Sequence, residues 1–284
     1  MTELLQIAFF GLVLGGIITL GAVGVSLLFG ILRFANFAHG DMMTLGAYLA
    51  LVFVVLGFPI LAAFPLAVAI SAGIAVGVDQ VLYRRLRRTA PVILLISSFG
   101  VALILRSVIQ IVWGPDTQNY EQAIRFPWKV MGLHIKPDHV TILVGAAVLV
   151  TALHFFLQYT RVGKAMRAMS DDPDLARVTG INTEAVVIWT WIIGGGLAAA
   201  AGVFLALDTR LIPHLGWNVL LPVFAAALLG GIGKPYGAIV GGLIIGLATE
   251  LSTLVLPAVY KPAVAFAIIV GLLIVRPTGL FRGK

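Results

Sequence analysis

The residues of this chain that could do chemistry are few and far apart. Its five histidines, His39, His134, His139, His154 and His214, are scattered, and no two have the spacing of metal ligands. Cysteine is absent, which removes disulfides, thiolate nucleophiles and cysteine-held metals. No glycine-rich loop ends in Lys-Ser or Lys-Thr, so the Walker phosphate cradle is missing. No catalytic residue, metal site or cofactor is expected. What remains is a handful of charges in apolar surroundings: Arg106, His154, Asp208 and Glu250, with Asp79 at the edge of a run. Ionisable groups in such places are costly and are functional candidates. Arg106 and Glu250 are expected at equivalent ends of their helices, either paired with each other or with Arg106 snorkelling to the interface. No series of carboxylates resembles a proton relay.

Two polar stretches stand out. The turn from Arg33 to Asp41, RFANFAHGD, places Asn36, His39 and Asp41 where they could line the mouth of a pathway, with Glu250 as a further candidate. Asp41 is also placed to cap the helix that follows it. The second stretch, Thr160–Ile181, is densely charged. Arg161, Lys164, Arg167 and Arg177 oppose Asp171, Asp172 and Asp174, between runs long enough to span a bilayer. Asp172 before Pro173 forms an N-cap with proline at the first helical position, Asp174 suits the positive end of the dipole, and Gly180 suits the left-handed C′ position. A short helix over 173–179 is expected to lie along the membrane surface. Leu175, Ala176, Val178 and Thr179 give it a smooth side, and a basic turn holds Arg161, Lys164 and Arg167 near the headgroups. Its nearly balanced charge fits a protein groove better than anionic lipid.

The elements that carry these residues follow from composition. The chain is 60% hydrophobic and 11% charged, with mean hydropathy +1.07. Too few charges are present to cover a water-facing surface, and the apolar runs are continuous rather than alternating. The fold class is therefore all-α, a polytopic transmembrane bundle forming one domain over 1–284. The net charge of +7 reflects basic loops rather than nucleic-acid binding. The N-terminus carries an acid and no Lys or Arg, so the first apolar run is expected to be a retained helix and not a secretory signal.

With about 20 residues needed to cross a bilayer, spans fall near 5–31, 42–57, 60–81, 91–112, 140–159, 185–207, 217–231, 237–256 and 261–275. Eight to ten crossings are defensible and nine are favoured, with 217–231 short enough to be re-entrant. With the N-terminus outside and the C-terminus inside, the internal connections hold 13 of the 19 Lys and Arg, and the external ones hold five. Loop 160–184 is then cytoplasmic. Loop 113–139, bracketed by Trp113 and Trp128, is external and at most a structured cap. Gly11/Gly15, Gly73/Gly77, Gly237/Gly241 and Gly242/Gly246 are spaced for close helix packing, as is the Gly194–Gly196 run followed by Leu197, Ala198–Ala201 and Gly202.

Four motifs, in order, give a resemblance that covers essentially the whole chain. They are Asn36-Phe37-Ala38-His39-Gly40; Gly163-Lys164-Ala165-Met166-Arg167-Ala168 with Asp172, Ala176 and Gly180-Ile181-Asn182; Leu229–Gly233 with Gly237-Ala238; and Arg276–Leu280. The chain resembles branched-chain amino-acid ABC importer permeases, most closely the shorter of the two permease types in leucine/isoleucine/valine uptake. The resemblance implies a bacterial cytoplasmic-membrane protein, surrounded by lipid and paired with a second permease of the same family. It also implies two cytoplasmic ATP-binding subunits and an external or periplasmic solute-binding protein. It implies that Gly163, Lys164, Ala165, Arg167, Ala168, Asp172, Ala176, Gly180 and Ile181 seat in a groove on the ATPase. The pattern departs at Lys234-Pro235, where members commonly have a small or polar residue before the proline. Relatives move other amino acids, amides or urea, so the solute stays open. A self-contained secondary carrier or channel is the alternative within transport, and an intramembrane enzyme is disfavoured by the lack of clustered nucleophile, base or metal ligands.

Overall fold

In hydrocarbon every backbone N–H and C=O must find its partner within the protein, so long apolar runs become helices. The computed structural model describes residues 2–87, 89–120, 127–130, 132–276 and 279–281. The chain begins with α1 (Thr2–Leu32) and α2 (Ala38–Val55). Next, α3 (Ile60–Val78) continues through a π-helical turn, Asp79–Tyr83, into α4 (Arg84–Leu86). After α5 (Pro91–Trp113) comes a small antiparallel hairpin of β1 (Trp128–Val130) and β2 (Leu133–Ile135). Then follow α6 (Pro137–Tyr159), the short pair α7 (Arg161–Asp171) and α8 (Pro173–Val178), and α9 (Thr183–Asp208). The chain closes with α10 (Leu215–Gly230), α11 (Pro235–Leu251) and α12 (Lys261–Val275).

Eight helices among the described residues are long and apolar enough to cross a membrane. The expected segment at 217–231 is α10, at 16 residues too short to join them. It packs instead along α11 and α2. Gly216 N–H donates to Thr44 Oγ1 at 2.9 Å beside the start of α2, and Gly230 lies on Gly237 at the start of α11. The run 60–81 proves longer than expected, since helix continues to Leu86 and carries Arg84 and Arg85 on its last turns.

The core is organised around α1 and α9, each 83% buried over its most apolar window, whereas α12 is only 11% buried. No hydrophobic force draws helices together in lipid, so close backbone approach must supply dispersion contacts. Helix α9 does this on three sides. Gly194 meets Leu28 of α1, Gly195 meets Ala75 of α3, and Gly202 meets the backbone of Met43 in α2. A Cβ on Gly202 would lie 1.8 Å from the Met43 carbonyl oxygen, so only glycine fits. Three of the expected glycine pairs pack in this way. Gly73 and Gly77 do not: nothing stands within 4 Å of a Cβ at either position.

The two ends of the bundle differ. One gathers Arg33, Arg84, Arg85, Arg87, the α7–α8 segment, Lys234 and Arg276; Arg88, Arg282 and Lys284 lie outside the described residues. Ion pairs tie this end together, with Arg87 bonded to Asp79 and reaching Glu184 at 3.1 Å. At the other end the 113–139 connection is fastened at several points, though 121–126 and 131 lie outside the described residues. Gln118 and Leu211 exchange backbone hydrogen bonds, Gln6 bonds the His134 backbone, and His139 meets Asp208 at 3.3 Å. Tyr120 donates to the Ala47 carbonyl at 2.8 Å, and burial raises its phenol above the ordinary range, which keeps it a donor.

Gly202→Ala should force α2 and α9 apart at a cost of about 1–3 kcal/mol or more, while Gly73→Ala should be neutral or gain up to roughly 1 kcal/mol of helix propensity. Thermal unfolding of the solubilised protein checks this. Equal midpoints for the two variants would contradict the packing described.

Candidate functional site

The charged segment after α6 is a rigid helix pair. Thr160 starts it: its hydroxyl accepts from Gly163 N–H at 2.9 Å and donates to the Phe156 carbonyl at 2.7 Å. The expected basic turn is in fact the 11-residue helix α7. Its buried positions Gly163, Met166 and Met169 recur every three residues and form one face against the bundle. Lys164, Arg167, Ala168 and Asp171 are exposed, and Ala165 is half-buried. Arg167 is steadied by Gln158 at 3.0 Å.

Helix α8 has the caps expected of it. The Asp172 carboxylate accepts from Asp174 N–H and Leu175 N–H, both at 3.0 Å, with Pro173 at the first helical position. Gly180 takes φ +84°; its N–H bonds the Arg177 carbonyl, and Ile181 N–H bonds that of Ala176. These two bonds complete a Schellman closure. Asn182 then caps α9 through Ala185 N–H at 3.0 Å, so the helix pair passes directly into the central helix.

This geometry sorts the expected docking residues into two kinds. Gly163 faces inward, where a Cβ would lie 2.3 Å from the Phe156 carbonyl oxygen and 2.6 Å from Leu157 Cα. Ala176 is 3% exposed, and Ile181 packs partly on the core. These three fasten the segment, and Gly180 closes it. Lys164, Arg167 and Ala168 are presented outward, as is Asp172, whose carboxylate is engaged in its cap. The smooth side expected of α8 is a pair of projections: Leu175 is 61% exposed and Val178 is 85% exposed. The sequence places Leu175, Ala176, Val178 and Thr179 on one smooth side, whereas Ala176 faces inward and the other three outward. A cavity of about 260 Å³ lies behind α8, lined by Arg33, Arg87, Arg177 and Glu184 among others.

The second group of candidates does not form a single site. Asn36, His39 and Asp41 are all buried and point three ways. Asn36 Oδ1 accepts from Ala38 N–H at 3.1 Å and from the Tyr83 hydroxyl at 3.3 Å. The His39 ring wedges against Gly24, between α1 and α9. Asp41 lies inside the first turn of α2, because the helix already starts at Ala38, so it is not the cap it was expected to be; the Asn36 carboxamide oxygen accepts from the Ala38 N–H just ahead of that turn. The Asp41 carboxylate goes instead to Arg106, with Nε and Nη2 each 3.0 Å from one oxygen. The Arg106 guanidinium also lies 4.7 Å over the Trp217 ring. Arg106 therefore neither snorkels nor meets Glu250. Glu250 pairs with Lys261 at 2.5 Å beside Gly11, 13 residues along α1 from the His39 contact at Gly24, or about 20 Å at helical rise. His154 bonds the Tyr236 hydroxyl at 3.0 Å.

The chain as a whole has relatives among known proteins. Residues 7–275 match the family described as branched-chain amino acid transport system / permease component. The chain is 33% identical to the high-affinity branched-chain amino acid transport system permease protein LivH of Escherichia coli K12, over 97% of this chain and 94% of that one. It is 31% identical to permease protein BraD of Pseudomonas aeruginosa, over 95% and 93%. Among solved structures, PsaBC from Streptococcus pneumoniae shares the fold at a TM-score of 0.52 and 17% identity, covering 98% of this chain and 94% of that one. The fastened helix pair and the motifs around it thus stand on a multi-pass membrane protein that belongs to the family of branched-chain amino acid permease components.

Proposed function

We propose that this chain is the pore-forming subunit of an ATP-driven importer that moves branched-chain amino acids across the cytoplasmic membrane by alternating access. On this reading it works with a second permease of the same family, two ATP-binding subunits and an external solute-binding protein. The basic end faces the cytoplasm, since cations are retained on that side. The observation that carries the reading is the α7–α8 pair in a chain of this family. It is a short, doubly capped helix with two exposed apolar side chains, fastened to the bundle through Gly163 and Ala176 and continuous with the central helix α9. A partner that closes over Leu175 and Val178 gains roughly 1.5–3 kcal/mol for each side chain fully covered. The energy of ATP hydrolysis then enters by contact, and the handle passes it to α9.

Two experiments test this reading. The chain is first reconstituted into vesicles with its partner subunits, where leucine uptake should require ATP and the solute-binding protein. Leu175→Asp/Val178→Asp should insert normally, fail to retain the ATPase on purification and lose uptake. Retention of both by the double variant would remove the coupling role, and gradient-driven uptake by this chain alone would favour a secondary carrier.

The role of Asp172 separates by substitution. Asn caps a helix as well as Asp does, while Ala costs about 1 kcal/mol. Asp172→Asn should therefore keep most of the uptake, and Asp172→Ala should lose a measurable part of it. Equal loss in both variants would instead mean that the carboxylate charge contacts the partner.

A further inference from the structure

The Asp41–Arg106 pair stands on an outward face of the chain. Asp41 is fully buried, but the Arg106 side chain is 14% exposed, and α5 packs mainly on α2 and is only 28% buried over its apolar window. Arg106 is seven residues before the end of α5 at Trp113, about 10 Å along the helix axis. A charged pair at that depth is expensive against hydrocarbon, so protein or water covers this face in the working assembly. Aromatic rings run away from the guanidinium. Trp217 lies beneath it, Phe99 is 6.0 Å from Trp217, Phe37 stacks on Phe99 at 4.4 Å, and Phe224 lies 5.3 Å from Phe37. Phe99 and Arg106 are seven residues apart on α5, which puts them on one side of it two turns apart. Phe99 is 36% exposed, and Phe37, Trp217 and Phe224 are partly exposed.

From this arrangement we infer that the face is the solute-contacting surface of this chain, and that it takes an amino acid with an aliphatic side chain. The inference rests on the importer function proposed above and adds the contact residues. Arginine has five donors; two reach Asp41, and among the described residues the other three have no hydrogen-bond partner. They are free for the α-carboxylate of the solute. The rings offer an apolar strip of the reach of a leucine side chain, without acceptors that would select a polar one. Asp41 is a positioning residue: it holds the guanidinium over Trp217 and balances its charge. Both charges lie within one chain, so the site does not depend on which sister subunit completes the pathway.

The test uses the complete transporter in vesicles. Because the chain has no cysteine, Phe99→Cys provides a unique label site on it. A water-soluble, membrane-impermeant methanethiosulfonate should modify it in the assembled complex. No modification under any condition would place the face in lipid and overturn the inference. The second arm is Asp41→Asn/Arg106→Gln, which removes both charges without leaving either one unpaired. It should be recovered as an assembled complex, with leucine uptake reduced about ten- to a hundredfold, the range for loss of a charged hydrogen bond. Wild-type uptake by this double variant would make the pair purely structural. If the unmodified complex moves no leucine at all, the importer reading fails instead, which separates the two outcomes.

Discussion

The closeness of α9 to its three neighbours is the constraint on which the rest of the structure depends. Glycine and alanine bring α9 against α1, α2 and α3 until backbone touches backbone, as at Gly202 and Met43. The result is a core in which backbone packs directly on backbone. His39 is fixed against Gly24, and the Asn36 carboxamide oxygen is engaged by the Ala38 N–H and the Tyr83 hydroxyl. The solute path proposed above accordingly runs along an outer face. The same packing makes α9 stiff, and a stiff helix can carry motion.

The route for that motion is continuous in the chain. Helix α7 is clamped to the end of α6 at Gly163, and its Met166 and Met169 face the bundle. Helix α8 is closed at both ends by Asp172 and Gly180, and Asn182 begins α9 two residues later. There is no slack segment in which a displacement could be absorbed. The ion pairs among Asp79, Arg87 and Glu184 add a second strap, from α3 to the start of α9. On the function proposed above, a push on Leu175 and Val178 would reach the same helix that packs against α1, α2 and α3.

How much of this was legible in the sequence depended on whether the signal was local. The apolar runs, the Asp172 and Gly180 caps and the basic end could all be read, because each rests on neighbours within a few residues. The partner of Arg106 could not, since Asp41 is 65 residues away and nothing in its own surroundings marks it. Asp41 was expected to cap a helix starting at Met42, and the helix in fact starts four residues earlier, at Ala38. Gly73 and Gly77 have the same spacing as Gly242 and Gly246, yet one pair faces out and the other is wedged against α1. Spacing defines a smooth stripe, but only tertiary contact decides what lies against it. The residues expected to dock show the same limit: Gly163 and Ala176 face inward and fasten the segment, while Leu175 and Val178, which the motif did not single out, are exposed.

The neutrality of the proposed solute face bears on how such a pore can both accept and release. A lone guanidinium in a closed, dry pathway would hold a carboxylate strongly, because low dielectric strengthens the attraction. It would also resist closure when empty, since an unpaired charge would then be buried. A resident Asp41 removes both difficulties. It competes with the solute for the same cation and leaves only the outlying donors for transient contact. The stacked Trp217 keeps the guanidinium from swinging toward solvent. A solute that gains a weak, oriented contact and loses it easily suits alternating access better than one held at a tight site, and tight selection can be left to a binding protein outside the membrane.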